Sequence, residues 1–452
     1  MVDSADLDLL VLDREVIRGE ASLRRWRLDL ARDTEVAEVP FEGVRRVASR
    51  SMWTALGELK PSASDAPLRD ALRQWVVALT QARIGAPAEL ARARAAFVQR
   101  VRVDGDPPRS VGWAEAWRGV VSAPRVAEAG LSLEAAATTA PEVAAAERAG
   151  ASRRLEVARR FGFEHPWSAL VSCDAPTLRA AARRLLDATD AIAFEVWRPT
   201  WRLDGPGIAS TLHRAVGREA GEGWPARVTS RWIEDVFAPG ATRGLVVDTG
   251  PLPAALGSTS FARALGAFGR AVRSGGGSRL PFVLAREPAF VAAHRLGFVF
   301  AALTTDPEWH ARALGLGQRP SASQARILAR SALLEARLHA ARVLLGDDAA
   351  FALADVFEEI GSRVFGAALD GRLRGAWPVA RPDEPARLIA LLQSLDTSRA
   401  LRERFDVDWF RNPRAWDHLR AVAAGPAREV LDPALLEGQA VALGRAFEEA
   451  LG

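Results

Sequence analysis

The sequence has no tyrosine, a single lysine (Lys60), a single cysteine (Cys173) and no two histidines four residues apart. Each gap excludes something. With one thiol no internal disulfide forms, so a reducing, cytoplasmic compartment is expected. His165, His213, His294, His310, His339 and His418 are scattered, so no helix carries the histidine pair that grips zinc from one face. The most apolar short run, Leu296 to Leu303, is too short to cross a bilayer, and no membrane partner is expected. The first residues, MVDSADLDLLVLDRE, are acidic and lack the basic-then-apolar order of a signal peptide. Basic residues form no tract and the net charge is only +4, which argues against a nucleic-acid partner.

What is present is a normal soluble balance, 49% apolar and 26% charged, enough for one large domain or two lobes. Apart from Lys60, the other 59 of the 60 basic residues are arginine, and there are 14 tryptophans. Such bias, with abundant alanine, fits a GC-rich bacterial coding sequence rather than a function.

Helical periodicity dominates, so the expected fold class is mainly α with a minor β component. After Asp174, placed as an N-cap with Pro176 in the first turn, Leu178, Ala182, Leu185, Thr189, Ile192 and Val196 fall on one stripe. Ser323–Leu345 repeats the pattern through Ile327, Leu334, Leu338, Ala341 and Leu345, with Gly346 placed to close it. Helices are also expected at 66–79, 88–101, 350–369, 386–395 and 433–451. The stretch 127–150 fits either a helix pair or a surface linker. Gly244–Asp248 is the best strand candidate, and 274–278 reads as a flexible loop. Pro199–Gly207 interrupts the periodicity. It suggests a boundary between helical lobes 1–200 and 201–452, if these do not form one continuous domain.

Residues 260–272, SFARALGAFGRAV, have the frame of a zinc helix without its ligands. Leu265, Gly269 and Ala271 stand where Leu-His-Glu-x-Gly-His-Ala has its apolar and small residues. Gly266 and Arg270 stand at the two histidine positions and Ala267 at the glutamate. Further likeness lies in FGFEHPWSAL (161–170), in LPFV (280–283) with AFVAAH (289–294), and in FDVDWFRNP (405–413). On these segments, about 150–425, the chain resembles a degenerate member of the zinc oligopeptidase family that includes thimet oligopeptidase and oligoendopeptidase F. The resemblance implies a large multi-helix fold with a central cleft. It implies a second helix that in active relatives brings a glutamate as third ligand, where this chain has Ala293 or His294, with Glu287 several residues early. The family's tyrosines, which help hold the oxyanion, have no counterpart here. Glycine, alanine and arginine neither bind a metal nor activate its water, and a fixed guanidinium repels a cation. The implied protein is therefore a catalytically inactive binding or scaffold protein for a peptide or protein, with no metal and no cofactor.

Two other readings stay open: an enzyme of different, metal-independent chemistry in the same cavity, and a helical assembly subunit unrelated to peptidases. Trp197, Arg198, Trp201 and Arg202 form an interleaved patch suited to a partner, as do Trp409, Arg411, Arg414 and Trp416. Core tryptophans beside surface arginines give the same pattern. Cys173 reads as a buried structural thiol and His165 as a helix-entry residue. Ser258 or Thr259 reads as an N-cap rather than part of a hydrolase elbow. The adjacent carboxylates Glu234–Asp235 and Glu358–Glu359 read as solvated faces.

Overall fold

The computed structural model describes residues 7–32, 41–103, 108–215, 223–252, 257–275, 278–346, 354–377, 382–427 and 432–452. The chain opens with α1 (Leu9–Arg32), α2 (Arg50–Glu58) and the long α3 (Ala66–Val98). A two-stranded antiparallel hairpin follows, β1 (Arg100–Val103) on β2 (Arg109–Gly112), with Val101 opposite Val111. Then come α4 (Trp113–Ser122), α5 (Val126–Arg160), α6 (Ala175–Asp204) and α7 (Ile208–Ala215).

The expected Asp174 cap forms: its carboxylate accepts the Thr177 amide at 2.7 Å and α6 starts one residue later. Leu178, Ala182, Leu185 and Thr189 are buried along the predicted stripe, while Ile192 and Val196 are half-buried.

Three prolines that read as breaks lie inside helices. α3 runs through Pro87, joining what the sequence splits into 66–79 and 88–101, and its last predicted residues belong to β1 instead. α5 runs through Pro141, so 127–150 is one helix rather than a pair or a linker. α6 runs through Pro199 and ends at Gly205, whose φ of 78° admits only a residue without a side-chain penalty. An internal proline costs about 3 kcal/mol. In α3 and α5 burial on both sides offsets it, whereas past Pro199 no residue of α6 is buried and its last turn is anchored by half-buried Trp201, whose Nε1 donates to Thr211. In α3, for example, Val76, Val77 and Leu79 precede the proline, and Ala88, Leu90 and Ala93 follow it.

The second half contains α8 (Ser230–Val236), α9 (Gly257–Gly275), α10 (Phe282–Ala285), α11 (Val291–Ala302) and α12 (Pro307–Leu314). It continues with α13 (Gln318–Leu345), α14 (Ala354–Phe365), α15 (Glu384–Phe405), α16 (Pro413–Ala424) and α17 (Leu436–Leu451). The fold is mainly α, as expected. Gly346 does follow the last residue of α13, but at a φ of −82° rather than in the left-handed region. The expected strand at Gly244–Asp248 does not form, and only Asp248 makes an isolated bridge, to Thr229. Leu245 and Val247 do face the second core while Val246 is 97% exposed, but the segment's backbone bonds to 226–230 are too few and too irregular to make a ladder. α9 begins at Gly257, so Ser258 and Thr259 lie in its first turn rather than at its cap. Ser274 and Gly275 extend α9, and 276–277 lie outside the described residues.

The largest core joins both halves of the chain, with Leu178, Leu185 and Trp197 of α6 meeting Leu334 and Leu338 of α13, Ile389 of α15 and Leu443 of α17. A second core is aromatic. Phe237 lies within 6.0 Å, centroid to centroid, of Phe268, Phe300, Phe410 and Trp416. This cluster fixes α9 against α11 and α16. No helix among the described residues is long and apolar enough to cross a membrane.

Candidate functional site

α9 and α11 meet almost backbone to backbone. A Cβ placed on Gly269 would lie 2.6 Å from the Leu296 carbonyl oxygen, and one on Gly266 would lie 3.3 Å from that of Gly297. Gly297 in turn leaves room for Arg270: a Cβ there would be 2.8 Å from Arg270 Cγ and 3.4 Å from its Nη1. Three glycines on two helices therefore make the groove across which the Arg270 side chain lies. Gly266 is buried in that contact, while Ala267 and the end of the Arg270 side chain are exposed.

His294 is set one turn before Gly297. The turn that delivers it is constrained. Phe290 holds a left-handed φ of 55°, unusual for an aromatic residue. Its ring packs on Trp75 at 6.1 Å, and Trp75 Nε1 donates to the Arg286 carbonyl at 2.8 Å. Glu287, the carboxylate nearest the expected third-ligand position, accepts the Ala292 amide at 2.7 Å and so serves the helix start.

The chemistry gathers at the head of α15, where sequence reasoning placed only a helix. His294 Nε2 lies 3.4 Å from Asp383 Oδ2, and Arg387 Nε donates to the same oxygen at 2.7 Å. The next residue, Glu384, is fully buried and bonds to His339 Nδ1 from α13, with Arg342 Nη1 at 3.8 Å. Two successive carboxylates thus hold two histidines from two helices. Burial pushes Asp383 up, but the His294 hydrogen bond and the Arg387 charge outweigh it and hold the carboxyl well below its usual range. Burial lowers His294 despite Asp383, and the charges of Arg387 and Arg270 lower it further, so its imidazole is neutral at neutral pH. Burial also lowers Arg270, with Arg387 adding to the effect and Glu335 and Asp383 opposing it.

These residues do not fit a zinc ion. Gly266, Ala267 and Arg270 offer no donor. His294 and Asp383 face each other. Among the described residues no three His, Cys, Asp or Glu side chains are grouped as ligands. The Gly266–Gly297 contact also closes the space into which a histidine at 266 would project.

The tryptophan–arginine patches look different in three dimensions. Trp197 is 1% exposed within the main core, and Trp201 Nε1 donates to Thr211 at 3.0 Å. Arg198 pairs with Glu195, leaving Arg202 as the exposed member. Trp409 and Trp416 are fully buried. Cys173 is buried and its thiol is pushed up to about 11 by burial and by Asp174, which makes it inert at neutral pH.

The buried histidines set a pH dependence. His294 and His310 both lie below their ordinary 6.5, with burial the first cause in each. The unfolded chain therefore takes up protons that the folded chain refuses, and stability falls as pH drops through 6.5. Asp383, depressed below 3.8, adds a second loss at lower pH still. The urea midpoint is expected to be lower at about pH 5.5 than at about pH 7.5. An unchanged midpoint across that window would contradict these assignments.

No family model matches the sequence, and no curated protein does. Among solved structures the chain is similar to Pz peptidase A, determined with an inhibitor. The TM-score is 0.56 at 10% identity, over 88% of this chain and 83% of that one. At that identity the likeness is one of fold, and the chain has a helical, peptidase-like architecture.

Proposed function

We propose that this chain is a degenerate relative of the zinc oligopeptidases that binds a peptide or a protein segment in its cleft without zinc-dependent cleavage. One observation carries the reading. At the groove between α9 and α11, where the resemblance puts the metal, an arginine lies over two glycines, and among the described residues no donor set surrounds it.

The test is metal analysis of the purified chain together with hydrolysis of short fluorogenic peptides. The expected result is less than one zinc per chain and no cleavage that a chelator abolishes. Stoichiometric zinc with chelator-sensitive cleavage overturns the reading.

The pair His294–Asp383 favours a second reading, an enzyme of metal-independent chemistry, because a neutral imidazole beside a carboxylate is equipped to act as a general base. Cleavage that resists chelators and disappears in His294→Gln would support it over the first.

A further inference from the structure

The guanidinium of Arg270 makes no hydrogen bond and no ion pair among the described residues. Glu335 and Asp383 act on it only through space. Its stem is confined between α9 and α11 by Gly266 and Gly297. Arg387, one helix away, commits Nε to Asp383, and its terminal nitrogens have no hydrogen-bond acceptor among the described residues. Arg27 of α1, itself bonded to Glu89 at 2.6 and 2.9 Å, is near enough for Asp383 to act on its charge. Arg270 is exposed at its tip while its stem packs against Gly297.

We propose that Arg270, with Arg387 beside it, binds a carboxylate of the peptide that the cleft takes. A guanidinium fork matches the two oxygens of a carboxylate, and an accessible, unpaired arginine whose stem is fixed between two helices is left ready for such an anion. The proposal rests on the peptide-binding reading above and adds the chemistry recognised. The carboxylate comes either from a peptide C-terminus or from an Asp or Glu side chain.

The experiment titrates the full chain with three peptides by calorimetry: tetra-alanine as the free acid, its C-terminal amide, and an acetylated, amidated peptide with one central glutamate. A charged hydrogen-bonded contact gives about a 10- to 100-fold preference over the neutral amide. Preference for the free acid identifies the C-terminus, preference for the glutamate peptide identifies a side chain, and either supports the proposal. Arg270→Gln is expected to abolish the difference. Circular dichroism checks that this variant is folded, and the comparison on the unaltered chain needs no variant at all. Equal binding of all three peptides overturns the carboxylate assignment and leaves peptide binding standing. If none binds, both fall.

Discussion

Arg337→Ala is expected to lower stability by about 3–5 kcal/mol, measured by urea denaturation. Arg337 is fully buried in α13. Its guanidinium donates to the Leu186 carbonyl at 3.2 Å, Thr189 Oγ1 at 2.6 Å, Asp190 Oδ1 at 2.7 Å and the Arg363 carbonyl at 2.7 Å. One side chain thereby joins α6, α13 and α14. Asp190 keeps a second cation in the variant, since Arg363 bonds to it at 2.6 Å, so the loss is not that of a stranded charge. It comes from the cavity and from two main-chain carbonyls left without this donor, the latter at about 1–3 kcal/mol each where buried. Arg337→Met fills most of the space and isolates the hydrogen-bond part. A variant as stable as the parent would mean that water replaces the guanidinium.

Gly269→Ala is the second large effect, and its sign is decided by competition. In a helix interior alanine is favoured over glycine by about 1 kcal/mol. At 269 the new Cβ would lie 2.6 Å from the Leu296 carbonyl oxygen and 2.9 Å from Phe300 Cδ2. A main-chain oxygen cannot swing aside, so α9 and α11 must separate, at an overpacking cost of about 1–3 kcal/mol or more. The clash wins, and Gly269→Val is worse. Gly130 in α5 is the control, because a Cβ there meets nothing within 4 Å and alanine is expected to stabilise. If both alanine variants stabilise, α9 and α11 are not packed as closely as described.

The sequence is most readable where one local rule decides. Asp174 caps α6 because a short carboxylate before an apolar stripe has no better use. α13 and α17 follow from periodicity alone. Reading fails where distant partners outweigh local rules. Pro87, Pro141 and Pro199 obey their chemistry, yet burial on both sides carries the helix past the first two, and the Trp201–Thr211 hydrogen bond holds the turn after the third. The hairpin escaped because Arg100-Val-Arg-Val103 alternates as a strand but follows a helical stretch that seemed to include it. At the candidate site, Gly266, Arg270 and His294 are legible as positions in one frame. Asp383 and Glu384 are not, since an acidic pair before Pro385 reads only as the start of a helix. The separation of 45 positions between His339 and Glu384 leaves no local trace of their bond.

The rule that adjacent carboxylates face different ways, which marks Glu358 and Glu359 as solvated, works in the opposite sense at 383–384. Diverging side chains let one dipeptide reach α11 through His294 and α13 through His339. Neighbouring Cα atoms are about 3.8 Å apart, so the two helices are yoked to a single peptide unit. A displacement of the α15 tip, by whatever pulls on it, is passed to both in the same stroke, and neither can slide along the other at this end without breaking a bond.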